Sequence, residues 1–210
     1  MSADFASTQL SHHFLIAMPG LEDPTFAKSV VYVCEHSERG AMGLIINKPG
    51  DLSLKHLFEK VELPLKREDL LQSNVLHGGP VQTERGFVLH DPMLEKDSVD
   101  SEISNTEAVA TPNSIYASTL SVPGGLAMTT SKDVLEALAN GSGPQRVVVT
   151  LGYASWGEGQ LESEIGENSW LTVPADPAVI FDTPIEQRYD KALSLLGLQA
   201  WMLSSEAGHA

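Results

Sequence analysis

Cysteine is nearly absent from this chain of 210 residues: Cys34 stands alone, so no internal disulfide can form. The opening MSADFASTQLSHHFLIAM has no Lys/Arg n-region and so does not read as a signal peptide. A reducing compartment, the cytoplasm, is therefore the expected location. No segment reaches the roughly 18 apolar residues that would cross a bilayer, and no membrane is expected. Positive charge is scarce, with 13 Lys+Arg against 28 Asp+Glu and a formal net charge of −15. Such a balance repels a phosphate backbone, so direct nucleic-acid binding is not expected. The densest basic stretch, Lys60, Lys66 and Arg67, is interrupted by Glu59, Glu62 and Glu68. Solubility is the simplest reading of the acidity. Internal repeats and low-complexity tracts are absent as well.

What remains suits one domain over 1–210, long enough to bury a core without staples. Residues 1–9 are polar and expected to be loose, and 91–112 read as a long acidic loop. Strands are expected at 14–17, 29–35 and 43–47, the last two joined by a hairpin loop at 36–40 that contains glycine. Pro49-Gly50 is read as the end of that unit. Leu54, Leu57, Phe58 and Val61 recur at helical spacing, predicting a helix over 53–60 capped by Asp51 or Ser53. Further strands are expected at 74–76, 85–90, 114–120, 126–129, 146–151 and 170–173. Thr130 with Asp133 resembles a capping pair for a helix over 132–139 that ends at Gly141. A short helix is expected over 160–166. Thr183, Pro184 and Glu186 read as another helix start. An opening hairpin with a strand–helix–strand unit at 126–151 points to a mixed sheet flanked by helices.

The segments HHFLIAMP, SVVYVCEHSERGAMGLIINKP, HGGPV, RGFVLH, MTTSKDVLEAL, LGYASWGEGQLESEI and WLTVPAD, with a chain end in AGHA, together resemble the YqgE/AlgH family of bacterial proteins. The resemblance runs from about residue 12 to 210. It implies an α+β domain, built on a large mixed β-sheet partly folded on itself and flanked by helices, in a bacterial cytoplasm. One family name carries an association with regulation of alginate synthesis and the label of transcriptional regulator. The resemblance supplies no catalytic residues, and fold alone gives no mechanism. No helix-turn-helix signature is visible, so any regulatory action is expected to be indirect, through a protein partner.

Among candidate site residues Cys34 comes first. A thiol acts as nucleophile or sensor only as thiolate, which needs a positive neighbour or hydrogen-bond donors. His36, two residues on, is expected on the same strand face. Against this, Val31, Tyr32 and Val33 place Cys34 in a buried-looking strand, where cysteine is commonly a small hydrophobe. The glycine-rich segment 152–157 follows a strand, and its free N–H groups could receive an anion. Ser155 there lacks the Gly at 153 of a nucleophile elbow, because Tyr153 stands in that place. The better reading is a tight turn packed by Tyr153 and Trp156; the alternative is an exposed aromatic at this turn that serves a protein partner. His77-Gly78-Gly79-Pro80 reads as a strand-ending turn rather than an oxyanion loop. Thr129 and Thr130 open a helix and could bind a small anion, with capping the simpler role.

The seven histidines form no metal-binding spacing, so no metal and no cofactor is expected. The leading expectation is a non-enzymatic regulatory or interaction protein. The alternative is a thiol-based redox sensor or hydrolase-like enzyme using Cys34 with His36. Substrate, partner and oligomeric state stay open.

Overall fold

The structure is a computed structural model and describes residues 9–93 and 115–203. The expected acidic loop falls outside the described residues except for 91–93. The expected loose N-terminus, but for Gln9, and the AGHA end also lie outside them. Among the described residues ten strands form one sheet: β1 (His13–Ala17), β2 (Val30–Ser37), β3 (Gly40–Ile45), β4 (Pro49–Ser53), β5 (Asn74–His77), β6 (Val81–His90), β7 (Thr119–Val122), β8 (Leu126–Thr129), β9 (Val147–Trp156) and β10 (Trp170–Pro174). Their main order is β10-β1-β2-β3-β9-β6-β8-β7, with β4 paired to β5 and β5 paired to β9. The β5–β9 pairing is parallel and the others are antiparallel, so the sheet is mixed, as expected.

Three apolar clusters show how the sheet curls. The largest takes side chains from both halves: Phe14, Tyr32 and Cys34 from one, Phe87, Leu89 and Met128 from the other. Two C-terminal helices, α4 (Pro177–Phe181) and α5 (Arg188–Leu195), pack into the same interior through Val179, Ile180, Ala192 and Leu193. The reverse face of the first half carries Val31, Val33, Trp156 and Trp170, covered by Leu161 of α3 (Gln160–Gly166). The reverse face of the second half is covered by α1 (Leu54–Lys60) and α2 (Lys132–Asn140). Strict alternation in β2 serves two of these layers: Val30, Tyr32 and Cys34 point inward, while Val31 and Val33 point out beneath α3.

Several boundaries differ from expectation for local reasons. The strand expected to stop at residue 151 continues to Trp156, so 152–157 is not a turn. Gly152, at φ +74°, lets β9 change direction: up to Leu151 it pairs with β5 and β6, Tyr153 pairs with Val81 of β6 across a register shift, and from Ala154 it pairs with β3. A Cβ at Gly152 would sit 2.5 Å from the Gly79 carbonyl oxygen, and one at Gly78 would sit 2.2 Å from the Gly152 oxygen. The glycines of His77-Gly78-Gly79-Pro80 are thus required by close approach of two backbones. Pro49-Gly50, read as a terminator, forms part of β4. Ser53 caps α1 as expected, accepting from the His56 N–H. Ser131, not Thr130, stands at the N-cap of α2, and Gly141 closes that helix at φ +79°.

Candidate functional site

The Cys34–His36 pair does not assemble. β2 carries a register shift between Val33 and Glu35, so Cys34 is the extra residue of a bulge. The shift breaks the two-residue periodicity, and the two side chains leave on opposite faces. Cys34 is 1 % exposed within the inner core, its Sγ 3.8 Å from the Tyr32 carbonyl oxygen. Burial pushes the thiol well above its ordinary range, and Glu35 adds to the shift. A neutral thiol is the stable form there.

His36 instead meets Glu162 of α3, with Nε2 2.8 Å from Oε1. The Leu10 N–H donates to Nδ1 at 3.2 Å. A backbone N–H can only donate, so Nδ1 is unprotonated and the proton sits on Nε2, facing Glu162. Both ring nitrogens are engaged, and neither addresses Cys34.

The three candidates on β9 also separate. Ser155 is exposed and pairs with Met42 across the sheet. Trp156 is buried, and its indole donates to Glu164 Oε2 at 2.9 Å. Trp170 donates to the same oxygen at 2.8 Å, while Gln160 donates to Glu164 Oε1 at 2.9 Å. One carboxylate thereby fixes α3 onto two tryptophans, a structural role for Trp156.

Tyr153 is half-buried and stacks edge-on with Phe87, ring centroids 5.3 Å apart. It lines an open groove of about 380 Å³ with Met42, Arg85, Phe87, Met128 and Thr130. Arg85 lies 5.8 Å from the Phe87 ring centroid and donates from Nη2 to Thr130 Oγ1 at 3.1 Å. It forms no ion pair among the described residues. Tyr153 and Thr130, distant in sequence, therefore share a surface.

Thr129 faces the other way. It is fully buried, its Oγ1 2.9 Å from His90 Nε2 and 2.7 Å from Thr119 Oγ1. His90 Nδ1 lies 2.6 Å from the Asp91 carbonyl, which can only accept, so the proton sits on Nδ1. Burial lowers the His90 pKa, opposed by Asp91. This chain of polar groups is satisfied and sealed, and no anion can reach Thr129. No group of three or more His, Cys, Asp or Glu placed to hold a metal occurs among the described residues.

Sequence reasoning missed Arg188. It appears as an ordinary polar position in a helix, yet it is 6 % exposed and lines a cavity of about 440 Å³. The available signal was its place in the apolar helix pattern beside Tyr189, Ala192 and Leu193.

The mixed, curled sheet with helices on both faces and a sealed cysteine defines a class of α+β protein without a recognisable catalytic centre among the described residues. The family described as AlgH-like matches residues 14–201, and the chain belongs to that family. A UPF0301 protein of Polaromonas sp. (strain JS666 / ATCC BAA-500) is 67 % identical over 210 residues, covering all of both chains. One from Paracidovorax citrulli (strain AAC00-1) is 68 % identical over 213 residues, again over both full lengths. The solution structure of the AlgH protein from Pseudomonas aeruginosa is 46 % identical, covers 97 % of each chain and superposes with a TM-score of 0.70. A crystal structure of a protein from Corynebacterium diphtheriae shares the fold at 19 % identity, TM-score 0.63, covering 88 % of this chain and 85 % of that one. No helix among the described residues is long and apolar enough to cross a membrane.

Proposed function

We propose that this protein is a non-enzymatic interaction protein that acts on gene expression indirectly, by binding a protein partner in the groove of Tyr153, Arg85 and Thr130. The observation that carries the reading is the composition of that groove. It joins two methionines, two aromatic rings and an arginine free of carboxylates among the described residues. Aromatic, Met and Arg side chains are the types enriched where proteins bind each other. β7, which lies beside the groove, ends the sheet order and, among the described residues, pairs only with β8. A free edge offers main-chain hydrogen bonds to a partner strand. The competing thiol reading loses support because Cys34 is sealed and His36 is committed to Glu162.

Quantitative capture from bacterial lysate, run in parallel with wild type and the double variant Arg85→Glu/Tyr153→Ala, tests the proposal. A partner retained by wild type and depleted at least about tenfold by the variant supports it, as expected for loss of hot-spot residues. Identical protein sets on both baits contradict it. Salt-sensitive binding of the purified protein to promoter DNA contradicts the indirect mode.

A further inference from the structure

The first residue of α5, Arg188, is a buried cation without a counter-ion among the described residues. Arg188 donates from Nε to the Thr183 carbonyl at 3.0 Å and from Nη1 to the Ile46 carbonyl at 2.5 Å. The ion pairs among the described residues are His36–Glu162, Arg67–Asp69 and Arg146–Asp91, and none includes Arg188. Its Nη2 has no protein acceptor among the described residues. Nor is Nη2 sealed, since the one sealed side-chain polar atom without a partner there is Ser29 Oγ. Nη2 therefore keeps some exposure, and Arg188 lines a cavity of about 440 Å³.

The acids around the cavity do not neutralise this charge. Asp69 lies on the lining but is held by Arg67 through two hydrogen bonds of 2.8 and 2.6 Å. Asp91 is held by Arg146. Glu186 acts on Arg188 and Asp182 on Arg146 only through space, with no ion pair to either. A guanidinium cannot discard its proton near neutral pH: burial pulls Arg188 down only to about 10. The lining is chemically mixed. Leu76, Val148, Phe181 and Ile185 are apolar, Asn74 is polar, and the exposed Arg146 lies over the Phe181 ring, 5.0 Å from its centroid.

We propose that this cavity binds a small organic anion, its carboxylate or phosphate head on Arg188 Nη2 and its apolar body against Phe181 and Ile185. The volume of about 440 Å³ falls within the usual range for small-molecule sites. Arginine is suited to such oxyanions because its planar donors match their geometry. The proposal is independent of the Tyr153 groove: β9 contributes to both, but no residue lines both.

The test is an NMR titration of the 15N-labelled full chain, read at Arg188 Nε–Hε and at the amides of Thr183 and Ile185. Sodium benzoate and sodium phosphate are added separately, with sodium chloride at matched ionic strength as the reference. Saturable shifts at these three positions with benzoate, phosphate or both, and not with chloride, are expected. Benzoate alone assigns a carboxylate ligand, and phosphate alone a phosphomonoester. Non-saturating shifts, or shifts equal to those with chloride, overturn the proposal. Arg188→Gln should weaken the binding roughly tenfold or more, by loss of a charge-assisted hydrogen bond. Unchanged affinity in a folded Arg188→Gln protein also overturns it. If that variant does not fold, the wild-type titration still decides.

Discussion

Cys34 and Arg188 are both buried titratable residues, and the structure treats them in opposite ways. Cys34 sits at a bulge in β2, 1 % exposed, with apolar neighbours on the inner face. Arg188 sits at the start of α5 with two backbone acceptors and lines a cavity. The thiol adapts to burial by staying protonated, so it costs the fold little. The guanidinium has no neutral form available, so its burial needs compensation from outside the side chain. Burial alone thus says little about function. What distinguishes the two residues is whether the group can discard its charge.

The sharpest way to break this comparison is to place an obligatory charge at the sealed position. Cys34→Asp should destabilise the protein by more than about 4 kcal/mol, or prevent folding, as measured by urea denaturation. A small cost would mean that water reaches the inner core.

The second largest effect should come from a third buried titratable group, His90. Its pKa in the folded protein lies below the unfolded value of about 6.5. The unfolded chain therefore binds more protons between the two values. Stability contributed by neutral His90 is present above about pH 6.5 and is lost as pH falls through the lowered native value. His12 shifts in the same direction and adds to the slope. Denaturation curves from pH 7.5 down to pH 5 should show this loss, and His90→Gln should flatten it. An unchanged slope in His90→Gln would remove the sealed polar chain from the account.

Two smaller effects sharpen the contrast. Cys34→Ala should cost only about 1 kcal/mol, the loss of a small buried group with no chemistry attached. Arg188→Met should change stability by less than about 1 kcal/mol, because relief of the buried charge offsets two lost hydrogen bonds. A loss above about 3 kcal/mol in Arg188→Met would make Arg188 a structural strut instead.

Much of the fold was legible because local signals and tertiary structure agree. Ser53 and Gly141 mark a helix start and a helix end at the positions read from the sequence. The β-branched run of β2 forms a strand buried on both faces. The errors cluster where a single backbone irregularity outweighs the pattern. Periodicity puts residues 34 and 36 on one face, but the bulge at Cys34 reverses that order, and no residue type announces it. Gly152 reads as a turn because glycine usually ends strands. Here it bends a strand that continues, since Gly78 and Gly79 of another segment leave room for its backbone. Such long-range backbone contact has no local signature.

The candidate site was legible only in fragments. Tyr153 and Thr130 were singled out separately, and only the sheet order brings them into one groove. Arg85, which bonds Thr130 and lies beside Phe87, opens the RGFVLH segment, which carries family resemblance but no binding motif. Arg188 was hidden for a different reason. A charged residue within an apolar helix face reads as an ordinary interruption until it is seen to have no ion-pair partner among the described residues.

The claim at the centre of this account is that Cys34 is a structural residue and that function proceeds by binding. Alkylation of the native protein by iodoacetamide, followed against pH and against low urea, tests it most directly. The account predicts modification far slower than that of a free thiol, no titration step at or below the unperturbed value of about 8.5, and a rate that rises with urea as the fold opens. Rapid modification in the absence of urea, with a titration midpoint below that value, would contradict it.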